Sequence, residues 1–108
     1  MEKRGQAYSS GNWLVHEGNE EDFVARWTTF AEWSLENAPG AESIVLVQDS
    51  DDPRHFLSLG AWVDEEAISA WRQMPTFREL LGACRELCEE FDARFYTLAS
   101  APSEHLGE

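Results

Sequence analysis

The chain has 108 residues, 8 Lys+Arg against 21 Asp+Glu for a net charge of −13, and 43% hydrophobic residues that include five Trp, six Phe and two Tyr. That length sets one domain, and that apolar share is enough to close a core, which excludes an intrinsically disordered chain. So acidic a surface, with its basic residues scattered singly, repels phosphate backbones and anionic headgroups and argues against nucleic-acid and membrane-surface binding.

Residues 1–10 are polar, Gly/Ser-punctuated and without periodicity, as are residues 101–108, and both read as flexible tails around a domain at 11–100. No apolar signal core lies in the first ten residues. The longest aliphatic run, Ile44-Val45-Leu46-Val47, falls far short of the roughly 20 residues a membrane span needs, so no membrane partner and a cytoplasmic location are expected. Residues 12–17 carry strand formers and are stopped by Gly18. Asn19 then offers a helix cap, followed by Glu20, Glu21 and Asp22 where the positive end of the helix dipole favours acids. Phe23, Trp27, Phe30, Ala31 and Ser34 mark one face of a helix that Pro39-Gly40 ends.

Residues 43–48 predict a second strand, the acidic Asp49-Ser50-Asp51-Asp52-Pro53 a turn, and residues 55–63 a third strand, together a hairpin. Asp64 can cap a helix with apolar Ala67, Ile68 and Trp71, which Pro75 breaks near Met74. The spacing of Phe77, Leu80, Leu81, Cys84, Leu87, Cys88 and Phe91 predicts a further amphipathic helix through Phe91, and residues 94–98 a final strand. A bridge between Cys84 and Cys88 along one helix would have poor geometry, so both read as reduced core thiols. The order β-α-β-β-α(α)-β is the split βαβ pattern, an α+β ferredoxin-like fold with helices on one face of a four-stranded antiparallel sheet. Both parities of the central strands are apolar (Trp13, Val15 against Leu14; Phe56, Trp62 against Leu57, Leu59), so the bare face also needs cover, most economically a second copy in an isologous homodimer.

Several stretches carry a family resemblance: Gly18 before a helix holding Phe23 and Trp27, Pro39-Gly40 before a strand, and above all Phe56-Leu57-Ser58-Leu59-Gly60-Ala61-Trp62 and Glu66-Ala67-Ile68-Ser69-Ala70-Trp71-Arg72-Gln73-Met74-Pro75-Thr76-Phe77. Over about residues 11–100 the chain resembles the antibiotic biosynthesis monooxygenase (ABM) domains of the dimeric α+β barrel superfamily. The resemblance implies a homodimer with an aromatic-lined cavity in each subunit, between sheet and helices. Family members include cofactor-independent monooxygenases of polyketide phenols, haem degraders and lactone isomerases, so the fold alone does not name the reaction. The monooxygenase tryptophan corresponds to Trp62, while the family's Asn, Tyr and Arg fall at Ser58, Ile68 and near Leu81. In the haem degraders the Trp falls at Trp71, the Asn at or beside Asn12, and the iron-binding His at Leu81.

Large flat rings wall planar ligands well. Trp62 and Ser58 are therefore the candidate catalytic residues, steadying a substrate oxyanion. Asn12, Trp13, Trp27, Phe30, Trp71, Phe77 and Leu81 are the candidate contacts to a small apolar or aromatic ligand, and Trp33 is expected at the cavity rim or the dimer contact. Arg72 reads as a partner for a substrate carboxylate or as half of a surface salt bridge. His16 and His55 fall at one end of paired strands but lack an evident third ligand, and the Asp49, Asp51, Asp52 turn lacks calcium-loop spacing, so no metal and no cofactor are expected. The function expected is cofactor-independent oxygenation of an aromatic or polyketide-type compound. The alternatives are a non-catalytic dimeric binding protein and, third, a haem-binding relative.

Overall fold

The structure, a computed structural model, describes residues 6–102. Its elements run β1 (Ala7–Val15), α1 (Glu20–Asn37), β2 (Ala41–Gln48), β3 (His55–Trp62), α2 (Glu65–Gln73), α3 (Pro75–Arg85) and β4 (Cys88–Thr97). The strands form one antiparallel sheet in the order β2-β3-β1-β4. Two β-α-β units interleave in it, which is the ferredoxin-like α+β fold expected from the order of elements. No helix among the described residues is long and apolar enough to cross a membrane.

β1 starts at Ala7, inside the stretch expected to be a tail. Ala7 pairs with Trp62 and Thr97, and Ser9 with Gly60 and Phe95, so this central strand is held along both edges. Ladder bonds on two sides override the weak strand propensity of Ser9, Ser10 and Gly11. Leu98 continues the pairing by donating its N–H to the Gln6 carbonyl at 2.8 Å. The rest of the expected tails, residues 1–5 and 103–108, lies outside the described residues.

The helices start by different means. Asn19 makes no side-chain cap: its backbone (φ −104°, ψ 12°) is not extended, as a capping residue requires. The chain instead turns at Gly18, whose φ of 94° suits a residue without Cβ, and the Gly18 N–H donates to Glu20 Oε1 at 3.0 Å. α2 begins as expected, with Asp64 Oδ1 accepting from the Ala67 N–H at 2.9 Å. Pro75 opens α3, where its missing N–H costs nothing.

The helix expected to run through Phe91 ends at Arg85, and Cys88 already belongs to β4. Leu87 and Phe91 continue the helical spacing, but Phe91 is the cross-strand partner of Trp13, with ring centroids 4.1 Å apart. Ten residues of β4 satisfy the free edge of β1, and a longer helix would leave that edge unpaired.

α1, α2 and α3 cover one face of the sheet, over a core whose largest fully buried side chains include Trp13, Trp62 and Phe23. The opposite face has no such cover. Val45, Val47, Leu59 and Tyr96 stand on it about half exposed, the bare apolar face that the alternation of the strands foretold.

Candidate functional site

The floor of the site is the β1–β3 ladder, where two Ser/Gly pairs face each other reciprocally: Ser9 opposite Gly60, and Gly11 opposite Ser58. Two residues beyond each glycine on the same strand stands a tryptophan, so its indole folds back over the glycine to the serine across the ladder. Trp13 Nε1–H donates to Ser58 Oγ and Trp62 Nε1–H donates to Ser9 Oγ, each at 3.1 Å. Glycine is required at both places because a Cβ on Gly11 or Gly60 would lie 2.7 Å from the serine oxygen opposite. Each hydroxyl therefore has a lone pair occupied by an indole N–H. Its own proton is left for other acceptors: Ser58 has only a long 3.5 Å contact to the Gly11 carbonyl, and Ser9 has no acceptor among the described residues.

Above this floor lies a cavity of about 180 Å3 between the sheet and α1, α2 and α3. Ser9, Ser58 and Gly11 form its base, Trp13 and Phe91 one wall, and Phe30, Trp71, Phe77 and Leu81 the helical side. Trp71 is held upright: its Nε1–H donates to the buried Ser34 Oγ at 2.9 Å, which in turn donates to the Phe30 carbonyl at 2.8 Å. Phe77 packs edge-on to Trp71 with centroids 4.7 Å apart, and Phe30 stacks on it at 5.7 Å. Arg72 and Phe95 line this cavity and also a wider groove of about 450 Å3 next to it, so they stand at the mouth between the two. The Arg72 guanidinium lies over the Phe95 ring, 4.3 Å from its centroid, rather than in a surface salt bridge with any described residue.

Of the residues expected here, Ser58, Trp13, Phe30, Trp71, Phe77 and Leu81 come together around the cavity. Three do not. Trp62 is fully buried behind Trp71, centroids 4.4 Å apart, and its N–H is committed to Ser9. Trp27 packs on the far side of α1, near Ile44, Leu46 and Phe56. Asn12 has the opposite strand parity to Trp13 and points to the bare face of the sheet, where its Oδ1 lies 2.8 Å from His55 Nε2. Trp33 is half-buried against the core rather than among the cavity walls.

Ser9, Phe91 and Phe95 are cavity residues that the sequence reading did not single out. Ser9 shares strand parity with Trp13 and sits two residues before a glycine, the only local sign of its place. Phe91 and Phe95 share parity along β4, but that becomes visible only once the strand is known to begin at Cys88.

The remaining candidates lie outside this cluster. Cys84 and Cys88 are free thiols, on α3 and at the start of β4. Burial, with a smaller contribution from Cys88, pushes the Cys84 thiol up to about 12, and burial pushes Cys88 up to about 11, so neither supplies a thiolate nucleophile near neutral pH. His16 faces Glu89 at 3.6 Å and His55 faces Asp49 at 3.3 Å. The acidic turn is closed by its own carboxylates: Asp49 Oδ1 accepts from the Asp51 N–H and Asp52 Oδ1 from the Arg54 N–H; the Asp51 N–H, and after it the His55 side chain, hold Asp49 below the usual carboxylate range. Arg54 donates from Nε to the Val15 carbonyl at 2.8 Å, and its Nη2 lies 2.6 Å from Glu89, a close ion pair without hydrogen-bond alignment. No group of three metal-ligating side chains occurs among the described residues. The cavity lining holds no His, Cys, Met or Tyr, so it offers no axial ligand to a haem iron.

The geometry has clear relatives among solved structures. SnoaB, a cofactor-independent oxygenase from Streptomyces nogalater, superposes with a TM-score of 0.83 at 18% identity, over 91% of this chain and 97% of that one. A conserved protein from Methanosarcina mazei Go1 gives 0.81 at 16% identity, over 90% and 96% of the two chains. At these identities the likeness is one of fold. No curated protein sequence matches the chain. The family model for antibiotic biosynthesis monooxygenase matches residues 11–82, which carry β1 through most of α3, including the serine–tryptophan floor from Gly11 onward and the helical wall at Trp71 and Phe77. The chain belongs to the antibiotic biosynthesis monooxygenase family.

Proposed function

We propose that this protein is a cofactor-independent monooxygenase that oxidises a small phenolic aromatic compound in the cavity between sheet and helices, working as a homodimer. The observation that carries the reading is the pair of serine hydroxyls on the cavity floor. Each already accepts an indole N–H, which leaves its proton to donate to a ligand oxygen. Two donors fixed by the ladder and surrounded by aromatic walls suit a developing phenolate, whose charge they stabilise without having to reorganise. Trp62 serves this chemistry from behind, by holding Ser9, while Ser58 and Ser9 touch the substrate.

In that reaction the phenol loses its proton to solvent, and the electron-rich ring carbon adds dioxygen to form a peroxide. Loss of water from the peroxide leaves a new carbonyl, so a ring CH2 plus O2 becomes C=O plus H2O. All the electrons come from the substrate, and the protein supplies orientation, a dry pocket and the hydroxyl pair. The family resemblance and the shared fold with an oxygenase support this assignment.

A second reading, binding without turnover, has its own support: the lining contains no carboxylate or imidazole to act as a general base. Oxygen uptake separates the two. Supplied aerobically with one- or two-ring phenols such as 1-naphthol, the protein should consume O2 faster than the Ser9→Ala, Ser58→Ala double variant by about 10²-fold or more, the effect of losing oxyanion donors. Equal rates in the two proteins would reject the oxygenase in favour of the binding protein.

A further inference from the structure

We propose that the ligand of this cavity is a one- or two-ring aromatic acid whose carboxylate is gripped at the mouth by Arg72, an inference that rests on reading the cavity as the ligand site. The chain carries 21 acidic residues against 8 basic ones, and among the described arginines without a carboxylate partner Arg72 is the one that lines the cavity. Arg26, Arg54 and Arg94 each have one, in Glu86 at 3.2 Å, Glu89 at 2.6 Å and Asp92 at 2.8 Å. Among the described residues no carboxylate comes within 4.0 Å of Arg72, although Glu65 lines the same outer groove. Its guanidinium carbon lies over the Phe95 ring, 4.3 Å from the centroid. Its N–H donors make no hydrogen bond to a described residue, and together they form the planar fork that matches a carboxylate bidentately.

Position and size narrow the ligand further. Arg72 and Phe95 line both the inner cavity and the outer groove, so a carboxylate at Arg72 leaves its ring pointing inward, toward Trp13, Trp71 and the two serine hydroxyls. The inner cavity measures about 180 Å3. An apolar cavity of about 150 Å3 accommodates benzene, and pockets for drug-sized ligands start near about 300 Å3. One ring or two fused rings fit; a larger polycycle does not. On a protein of net charge −13, an anion is repelled from most of the surface, and a single unpaired arginine at the cavity mouth decides whether it enters.

Titration calorimetry with two matched probes, 6-hydroxy-2-naphthoate and 2-naphthol, tests this directly. The native protein should bind the acid about tenfold or more tightly than the neutral phenol, the usual worth of a hydrogen-bonded charge pair. Arg72→Gln should abolish that preference by weakening the acid far more than 2-naphthol, and Arg72→Lys should keep part of it. Arg85→Gln is the control for net charge: this arginine stacks over Phe91, 5.4 Å from its centroid, without lining the cavity, and its loss should leave the preference intact. Equal affinities for the two probes, a preference that survives Arg72→Gln, or an equal loss in Arg85→Gln would overturn the proposal. If neither probe binds, the cavity reading falls and takes this proposal with it. Acid-selective binding without oxygen uptake would reject the oxygenase alone.

Discussion

At the scale of single residues, the site depends on two glycines as much as on the serines and tryptophans they accommodate. Gly60 lies where any Cβ would meet Ser9 Oγ at 2.7 Å and Trp62 Nε1 at 3.0 Å, both in a ladder that cannot shift without moving the floor. Gly60→Ala should therefore destabilise the protein by about 1–3 kcal/mol, the range for overpacking a close-packed core, and should weaken ligand binding in parallel. Urea denaturation would show this as a lower midpoint at unchanged slope; a stability equal to the parent's would mean that the Ser9–Trp62 hydrogen bond does not hold the floor. Ser58 and Trp62 were legible as a polar and an aromatic residue on the same parity of one strand. That Trp62 donates to Ser9, while Ser58 is served by Trp13, was not, because those hydrogen bonds run across strands and depend on a register that neither segment encodes alone.

At the scale of elements, the boundaries set by local chemistry were the ones the sequence disclosed. Asp64 before a run of helix formers and Pro75 after Met74 act within a few residues of themselves, and α2 starts and stops where they demand. Asp64→Ala removes the acceptor for the Ala67 N–H and should cost about 1 kcal/mol, while Asp64→Asn or Asp64→Ser should recover most of it. Thermal unfolding of the three variants gives the order; an alanine variant as stable as the parent would show that the cap contributes nothing. The α3–β4 boundary was of another kind. A stripe at helical spacing ran on through Leu87 and Phe91, and only the need to pair the open edge of β1 turned that stretch into a strand. The same competition explains why β1 reaches back to Ala7 through Ser9, Ser10 and Gly11, which favour no strand by themselves.

At the scale of the whole molecule, one face of the sheet is covered by three helices and the other presents Val45, Val47, Leu59 and Tyr96 about half exposed. A second copy packed on that face would bury them, and the strands would contribute the same residues from both sides, as an isologous contact requires. The protein should then sediment at twice its 12.3 kDa. Leu59→Arg, which places a charge 40% exposed at the middle of that face, should sediment as a single copy while its far-ultraviolet circular dichroism stays native. A parent protein that runs as one copy at micromolar concentration would remove the homodimer from the reading.

The order of strands and helices, the apolar character of both parities of the central strands and the apolar face left bare could all be read from the chain alone, because periodicity, capping and charge act over a few residues. The tertiary structure alone decided which hydroxyl each indole meets, where the last helix yields to a strand, and which arginine stands free at the cavity mouth. Each of these depends on partners far apart in sequence: Trp62 with Ser9, Phe91 with Trp13, Arg72 with Phe95. Such contacts exist only after strand register has been chosen, and register is settled by the packing of the whole sheet against its helices.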